Sequence, residues 1–194
     1  MKDPGIDKPT GISQAFNARI IIPRERIAAR VAELAVRIAQ DMDDTPLTLA
    51  AVMTGSIIFV SDLIRQLPIP MMKIRLVSIS SYPGTATQSQ GVQVLTPLTG
   101  RFDGQQVLLV DDILDSGRTL ATAVEQLRQV GAESVKTCVL LRKPSTRRAP
   151  AGMDTADYVG FDIEDQFVVG YGLDHGDYYR NLPDIAVLKE LTSI

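Results

Sequence analysis

The amino-acid sequence predicts an α/β fold, a mainly parallel twisted sheet flanked by helices. Three observations lead there. Strand-like and helix-like segments alternate along the chain, the pattern that sets parallel strands side by side and returns the chain through helices on both faces. The 194 residues are 45% hydrophobic and 22% charged, enough apolar material for one real core and too much for a disordered chain. No internal repeat is visible, so a single unit accounts for the length.

The elements follow in order. Residues 1–19 carry Lys2, Asp3, Pro4, Asp7, Lys8 and Pro9 without an apolar centre. They read as a flexible lead-in and lack the core of a secretion signal, which makes the cytoplasm the expected compartment. Pro23 opens a helix in which Ile27, Val31, Leu34 and Ile38 recur at spacings of three and four, a stripe suited to packing. Asp41, Asp43, Asp44 and Pro46 end it in what reads as a solvated acidic turn. Leu47–Met53 is a buried strand, Thr54-Gly55-Ser56 a tight turn, and Ile57–Leu67 a helix stopped by Pro68 and Pro70. A strand over Lys73–Ser80 leads into Ser81–Gly91, which has almost nothing to bury except Tyr82 and reads as a mobile surface loop. Asp103-Gly104 makes a turn, Gln105–Val110 a strand, Asp111–Thr119 a connection, and Leu120–Val130 an amphipathic helix ended by Gly131. Ser134–Leu141 is the next strand. After the polar stretch Arg142–Asp154, Tyr158–Phe161 and Phe167–Gly170 are short strands separated by an acidic turn.

Composition excludes several functions. Apolar runs such as Val107–Val110 stop far short of the roughly 20 residues of a membrane helix. The net charge of −3 gives nucleic acid no attractive field, so neither a membrane nor a nucleic-acid partner is expected. The single cysteine, Cys138, lies in a strand and reads as a small buried thiol. One Cys and one His are too few soft ligands for zinc, so any metal should be oxygen-ligated, Mg²⁺ or a relative.

The chemistry concentrates after Val110, because ligands of open α/β sheets bind beyond the carboxyl ends of strands. Ser116, Gly117, Arg118 and Thr119 open a helix, where free N–H groups and the helix dipole favour an anion, Gly117 admits close backbone approach, and two hydroxyls add donors. This reads as a cradle for one phosphate, since neither the nucleotide-triphosphate loop nor the dinucleotide glycine pattern occurs. Asp111 and Asp112 put like charges side by side, which suits a ribose diol or its Mg²⁺ complex; an Asp pair in isolation is equally well a strand end followed by a helix cap.

The run Val110-Asp111-Asp112-Ile113-Leu114-Asp115-Ser116-Gly117-Arg118-Thr119 resembles the phosphoribosyl-pyrophosphate motif of the type I phosphoribosyltransferases. Leu140-Leu141-Arg142-Lys143-Pro144, Tyr158-Val159-Gly160-Phe161, Phe167 to Asp174 and Tyr179-Arg180-Asn181-Leu182-Pro183 extend the likeness, over roughly residues 20–187, to the branch that acts on hypoxanthine and guanine. The resemblance implies that family's fold, with a small hood built from N- and C-terminal segments, residues 158–194 contributing the purine-binding part. It implies transfer of 5-phosphoribosyl from phosphoribosyl pyrophosphate to a 6-oxopurine, with Mg²⁺, in a homodimer or homotetramer. Asp111 and Asp112 would hold the ribose hydroxyls, Asp115 would exchange a proton with purine N7, and Ser116 to Thr119 would bind the 5′-phosphate. Thr54 and Gly55 would form the pyrophosphate loop, preceded in the family by a cis non-proline bond. Lys143 would donate to the 6-oxo group, Phe167 would stack on the ring, and Val168 would offer backbone to its polar edge. Asp174, with Asp111 and Asp112, would hold the metal, and Arg180 would neutralise pyrophosphate. Ser81 and Tyr82 would belong to a closing loop.

Departures from the family pattern are Thr54 where Lys or Arg is frequent, Asp111 where Glu is frequent, and Arg118 at a variable position. The resemblance also implies a pyrophosphate role for Arg147, whereas Arg148 reads as a solvated loop charge. His175, Tyr178 and Tyr179 read as packing or interface residues. Two other classes compete. A donor-sensing regulator would need a DNA-binding segment or a basic face; a phosphoacceptor domain would carry its acidic pair on the first strand.

Overall fold

The computed structural model describes residues 18–42, 46–80, 93–94 and 102–188. The chain enters on β1 (Ala18–Ile22), so Ala18 and Arg19 belong to a strand and not to a lead-in. Pro23, extended at φ −72° and ψ 153°, caps α1 (Arg24–Asp41), whose Ile27, Val31, Leu34, Ala35 and Ile38 are buried as the periodicity requires. β2 (Leu47–Met53) is buried over its first six residues. α2 (Ile57–Gln66) follows the turn and ends before Pro68, and β3 (Met72–Ser80) and β4 (Gln93–Val94) come next. β5 (Gln106–Leu114), α3 (Arg118–Gln129), β6 (Ser134–Arg142), β7 (Tyr158–Asp162), β8 (Val168–Val169) and β9 (Ile185–Leu188) complete the chain.

The main sheet has the order β4-β3-β2-β5-β6-β7, parallel throughout except for the β3-β4 edge. A second sheet, β1-β9-β8, is antiparallel and joins the N-terminal strand to the C-terminal one. That small sheet is the expected hood. It begins later than expected, because Tyr158–Asp162 pairs with β6 in the main sheet and only the chain from β8 onward builds the hood.

Two apolar clusters cover the two faces. One packs α1 and α2 with Leu49, Leu108, Val110, Leu140 and the hood residues Val168 and Ile185; the other packs α3 residues Leu120, Ala123 and Leu127 with Ala50, Leu109 and Val139. Cys138 is fully buried, and burial pushes its thiol pKa far up, so it acts as core filling. Asp41 is not simply solvated: it accepts a hydrogen bond from the Tyr158 hydroxyl at 2.8 Å and faces Lys136. Asp43 and Asp44 lie outside the described residues.

Candidate active site

Gln106–Leu114 is longer than the expected strand, and the extra residues make the site. β5 pairs with β2 only as far as Val110↔Ala51, but with β6 as far as Leu114↔Arg142. Asp111 and Asp112 therefore sit inside a strand that one neighbour has already left, not in a loop. The side vacated by β2 opens a cavity of about 450 Å³.

The turn after β2 closes that cavity from one side. The Met53–Thr54 peptide is cis, Thr54 is exposed, and Ser56 is buried with its hydroxyl donating to the Val52 carbonyl. A Cβ on Gly55 would lie 1.8 Å from Asp112 Oδ2, so only glycine lets this turn approach the acidic pair. Gly172, at φ 102°, brings the hood against the Gly55 carbonyl in the same way. Turn, strand and hood thus converge at Gly55.

On the opposite side lies the helix start expected to cradle an anion. Gly117 (φ 75°) caps α3, which starts at Arg118, two residues earlier than expected, because the left-handed cap residue lets the chain turn directly into the helix. Ser116, Gly117 and Thr119 line the cavity with Asp111, Asp112 and Asp115. Arg118 is exposed and does not line it. Thr54 and Gly55 from the turn, Asp174 and Arg180 from the hood side, and Arg147 complete the lining used here.

Electrostatics divide the carboxylates. Burial, then the charge of Asp112, pushes the Asp111 carboxyl well above the usual range, although its Oδ1 accepts from the Asp112 backbone N–H at 2.9 Å. Burial also raises Asp112, against hydrogen bonding from Asp111 and the more distant pull of Arg180. Asp115 goes the other way: burial pulls it up, but hydrogen bonds from Arg147 and Lys143 outweigh this and hold it below the usual range. Lys143 Nζ is 3.1 Å from Asp115 Oδ2, and Arg147 Nε is 2.9 Å from Oδ1. Asp165, unremarked in the sequence reading, faces both cations at 3.6 and 3.5 Å.

The expected purine residues are placed beside the cavity rather than in it. Lys143 is buried and reaches the site through Asp115. Phe167 is 45% exposed and stands T-shaped to His175, ring centroids 5.3 Å apart. Val168 is buried in β8, paired with Val187. His175 Nε2 is buried with no hydrogen-bond partner among the described residues, and Tyr178 is exposed. Ser81 and Tyr82 lie outside the described residues.

Arg180 and Asp174, expected on pyrophosphate and metal, are bonded to each other at 2.8 Å; Arg180 also donates to the Gly172 carbonyl and to Asp177. Among the described residues, no group of three or more His, Cys, Asp or Glu side chains is close enough to hold a metal unaided. The donors present still suit an oxygen-ligated divalent cation. Asp111 is buried and Asp112 partly buried, two carboxylates adjacent in the chain that both line the cavity, and neither a thiolate nor an imidazole lines it with them.

The chain that carries this acidic strand and glycine turn is similar to known proteins over most of its length. The phosphoribosyl transferase domain family matches residues 21–175. The chain belongs to that family, type I. Among its relatives, the hypoxanthine-guanine phosphoribosyltransferase of Bacillus subtilis (strain 168) is 38% identical over 171 residues, covering 88% of this chain and 93% of the relative. That of Dictyostelium discoideum is 39% identical, covering 90% and 97%. Among solved structures, a hypoxanthine phosphoribosyltransferase from Staphylococcus aureus superposes with a TM-score of 0.83 at 34% identity, covering 94% of this chain and 97% of that one. The phosphoribosyltransferase fold, with its parallel sheet and separate hood sheet, is therefore established for this chain. No described helix is long and apolar enough to cross a membrane.

Proposed function

We propose that this phosphoribosyltransferase is a purine salvage enzyme, moving the 5-phosphoribosyl group from phosphoribosyl pyrophosphate to hypoxanthine or guanine and giving IMP or GMP with pyrophosphate. The observation that carries this reading is the pairing of Asp115 with Lys143 at 3.1 Å beside the phosphate cradle, which sets a proton acceptor and a donor-only cation next to where the sugar would lie. Such a pair matches N7 and the 6-oxo group of one purine edge. Adenine has an amino group where Lys143 needs an acceptor, and opposing two donors costs roughly 1 to 3 kcal/mol.

In this reading Ser116, Gly117 and Thr119 bind the 5′-phosphate, Arg118 adding only its backbone N–H at the helix start, and Asp111 and Asp112 hold the ribose hydroxyls. Purine N9 attacks C1 as the C1–pyrophosphate bond breaks, through a transition state with positive charge on the sugar. The acidic pair below the ring favours that charge, Asp115 manages the proton at N7, and Phe167 and Val168 hold the base. The Thr54-Gly55 backbone and Arg180 hold the departing pyrophosphate, for which Arg180 must exchange Asp174 for the phosphate oxygens. Asp174, Asp111 and Asp112, together with donor oxygens, would hold Mg²⁺, which would supply further positive charge to the leaving group.

The test is nucleotide formation from the donor and Mg²⁺ with hypoxanthine, guanine, xanthine and adenine in separate reactions. Turnover of 6-oxopurines well above adenine, with selectivity lowered in Lys143→Ala, supports the reading. Donor binding without turnover of any purine overturns it in favour of a donor-sensing regulator. A homodimer or homotetramer, which sedimentation would measure, is part of the same proposal; Ile57, Ile58, Ile74 and Leu76 remain exposed on the single chain.

A further inference from the structure

We infer that Arg148 is a positioning residue that sets the distance between Asp115 and Lys143 and thereby the choice of purine, an inference that rests on the function proposed above. The sequence reading made Arg148 a solvated loop charge, and the structure corrects it. Its guanidinium is partly buried and donates to main-chain carbonyls: Nη2 to Lys143 O at 2.9 Å, Nε to Asp154 O at 3.2 Å, and Nη1 to Leu114 O at 3.3 Å, to Pro144 O at 3.5 Å and, closest, to Asp115 O.

The acceptors identify what is being held. β5 ends at Leu114 and β6 at Arg142, so the sheet no longer fixes Asp115 relative to Lys143. The Lys143 N–H to Leu114 carbonyl bond, 3.0 Å, is one main-chain link at that point. Arg148 bonds the carbonyls of both residues from a single planar group, whose five N–H donors point in fixed directions. The same segment is pinned to the cradle by Ala149 N–H to Ser116 O (2.9 Å) and Met153 N–H to Gly117 O (3.1 Å). Glycine at 117 and 152 permits this approach, since a Cβ at either would strike the opposing backbone at 2.2 Å. Arg147, its neighbour, differs in kind, donating to the Asp115 carboxylate and lining the cavity. Arg147 faces the reaction, whereas Arg148 acts through the backbone beneath it.

Arg148→Lys and Arg148→Ala test this against wild type. The expected result is a KM for hypoxanthine raised about tenfold, a KM for phosphoribosyl pyrophosphate changed less than about twofold, and a hypoxanthine-over-adenine preference in kcat/KM reduced several-fold, with Lys restoring part of each effect. A merely structural role would lower thermal stability and raise both KM values together while leaving the preference intact, and that pattern, or unchanged kinetics, overturns the inference. If Arg148→Ala does not fold, Arg148→Lys decides alone. Wild-type turnover checks the function itself. Amide hydrogen exchange reads the clasp without activity: exchange at Lys143 and Ala149 should quicken in the folded Lys variant, and unchanged exchange there overturns the clasp even if the enzyme reading fails.

Discussion

Asp115 has two cationic neighbours before any substrate is present, and this governs what each side chain can do. A carboxylate held down by Lys143 and Arg147 becomes a better base only when those cations turn to other acceptors, which the 6-oxo group offers Lys143 and Asp165 offers both. Asp115→Asn should therefore lower kcat by about 10²- to 10⁴-fold, the usual worth of a positioned acid–base group, with the protein still folded by circular dichroism. Asp111 behaves oppositely. Because folding raises its pKa, its contribution to stability is complete below the ordinary carboxylate value and is lost as pH rises through the elevated folded value. Asp111→Asn, which keeps an acceptor for the Asp112 N–H, should raise the neutral-pH Tm of the ligand-free protein by a few degrees, flatten that pH dependence, and weaken donor binding about tenfold or more. A Tm that falls at neutral pH would refute the account of this pair.

At the scale of elements, the site exists because β2 and β5 part company after Val110 and two glycine-bearing turns press inward from either side. Gly55→Ala should displace Asp112 and raise the KM for phosphoribosyl pyrophosphate more than that for the purine, as steady-state kinetics would register. Gly117→Ala meets two obstacles, a left-handed backbone and a Cβ 2.2 Å from the Met153 carbonyl. The first alone costs about 1 to 2 kcal/mol, so denaturant midpoints should fall markedly and phosphate protection of the protein should weaken. The strand and helix cores were readable in the sequence because apolar periodicity persists in isolation. Their ends at the site were not: the end of β5 depends on which neighbour still offers a rung, and the start of α3 on a left-handed glycine.

At the scale of the whole molecule, polar contacts join the hood to the sheet body alongside the apolar core they share. The Tyr171 hydroxyl, its pKa driven up by burial and by Asp62, donates to that carboxylate at 2.5 Å, and Asp184 accepts from the Arg24 backbone N–H at 2.8 Å. Tyr171→Phe should cost about 1 kcal/mol in unfolding free energy and raise KM values, measurable by urea titration and kinetics. In the function proposed above, donor and Mg²⁺ together would bridge hood and cradle. At a donor concentration of 100 times Kd they should stabilise the protein by about 2.7 kcal/mol, an effect that chelation with EDTA removes, while Mg²⁺ alone should shift Tm little because the protein carboxylates do not form a closed ligand set.

The sequence by itself determined the α/β class, the faces of the helices, the buried thiol of Cys138 and the crowding of carboxylates and hydroxyls between Asp111 and Thr119, since each rests on side-chain type at fixed local spacing. Tertiary structure decided the rest. Strand pairing put Asp111 and Asp112 within β5, and folding of the segment after Lys143 back onto the cradle turned Arg148 from an apparent surface charge into a clasp. Its partners are carbonyls, which every residue carries and no sequence pattern marks. Only the folded backbone shows which of them point at one guanidinium.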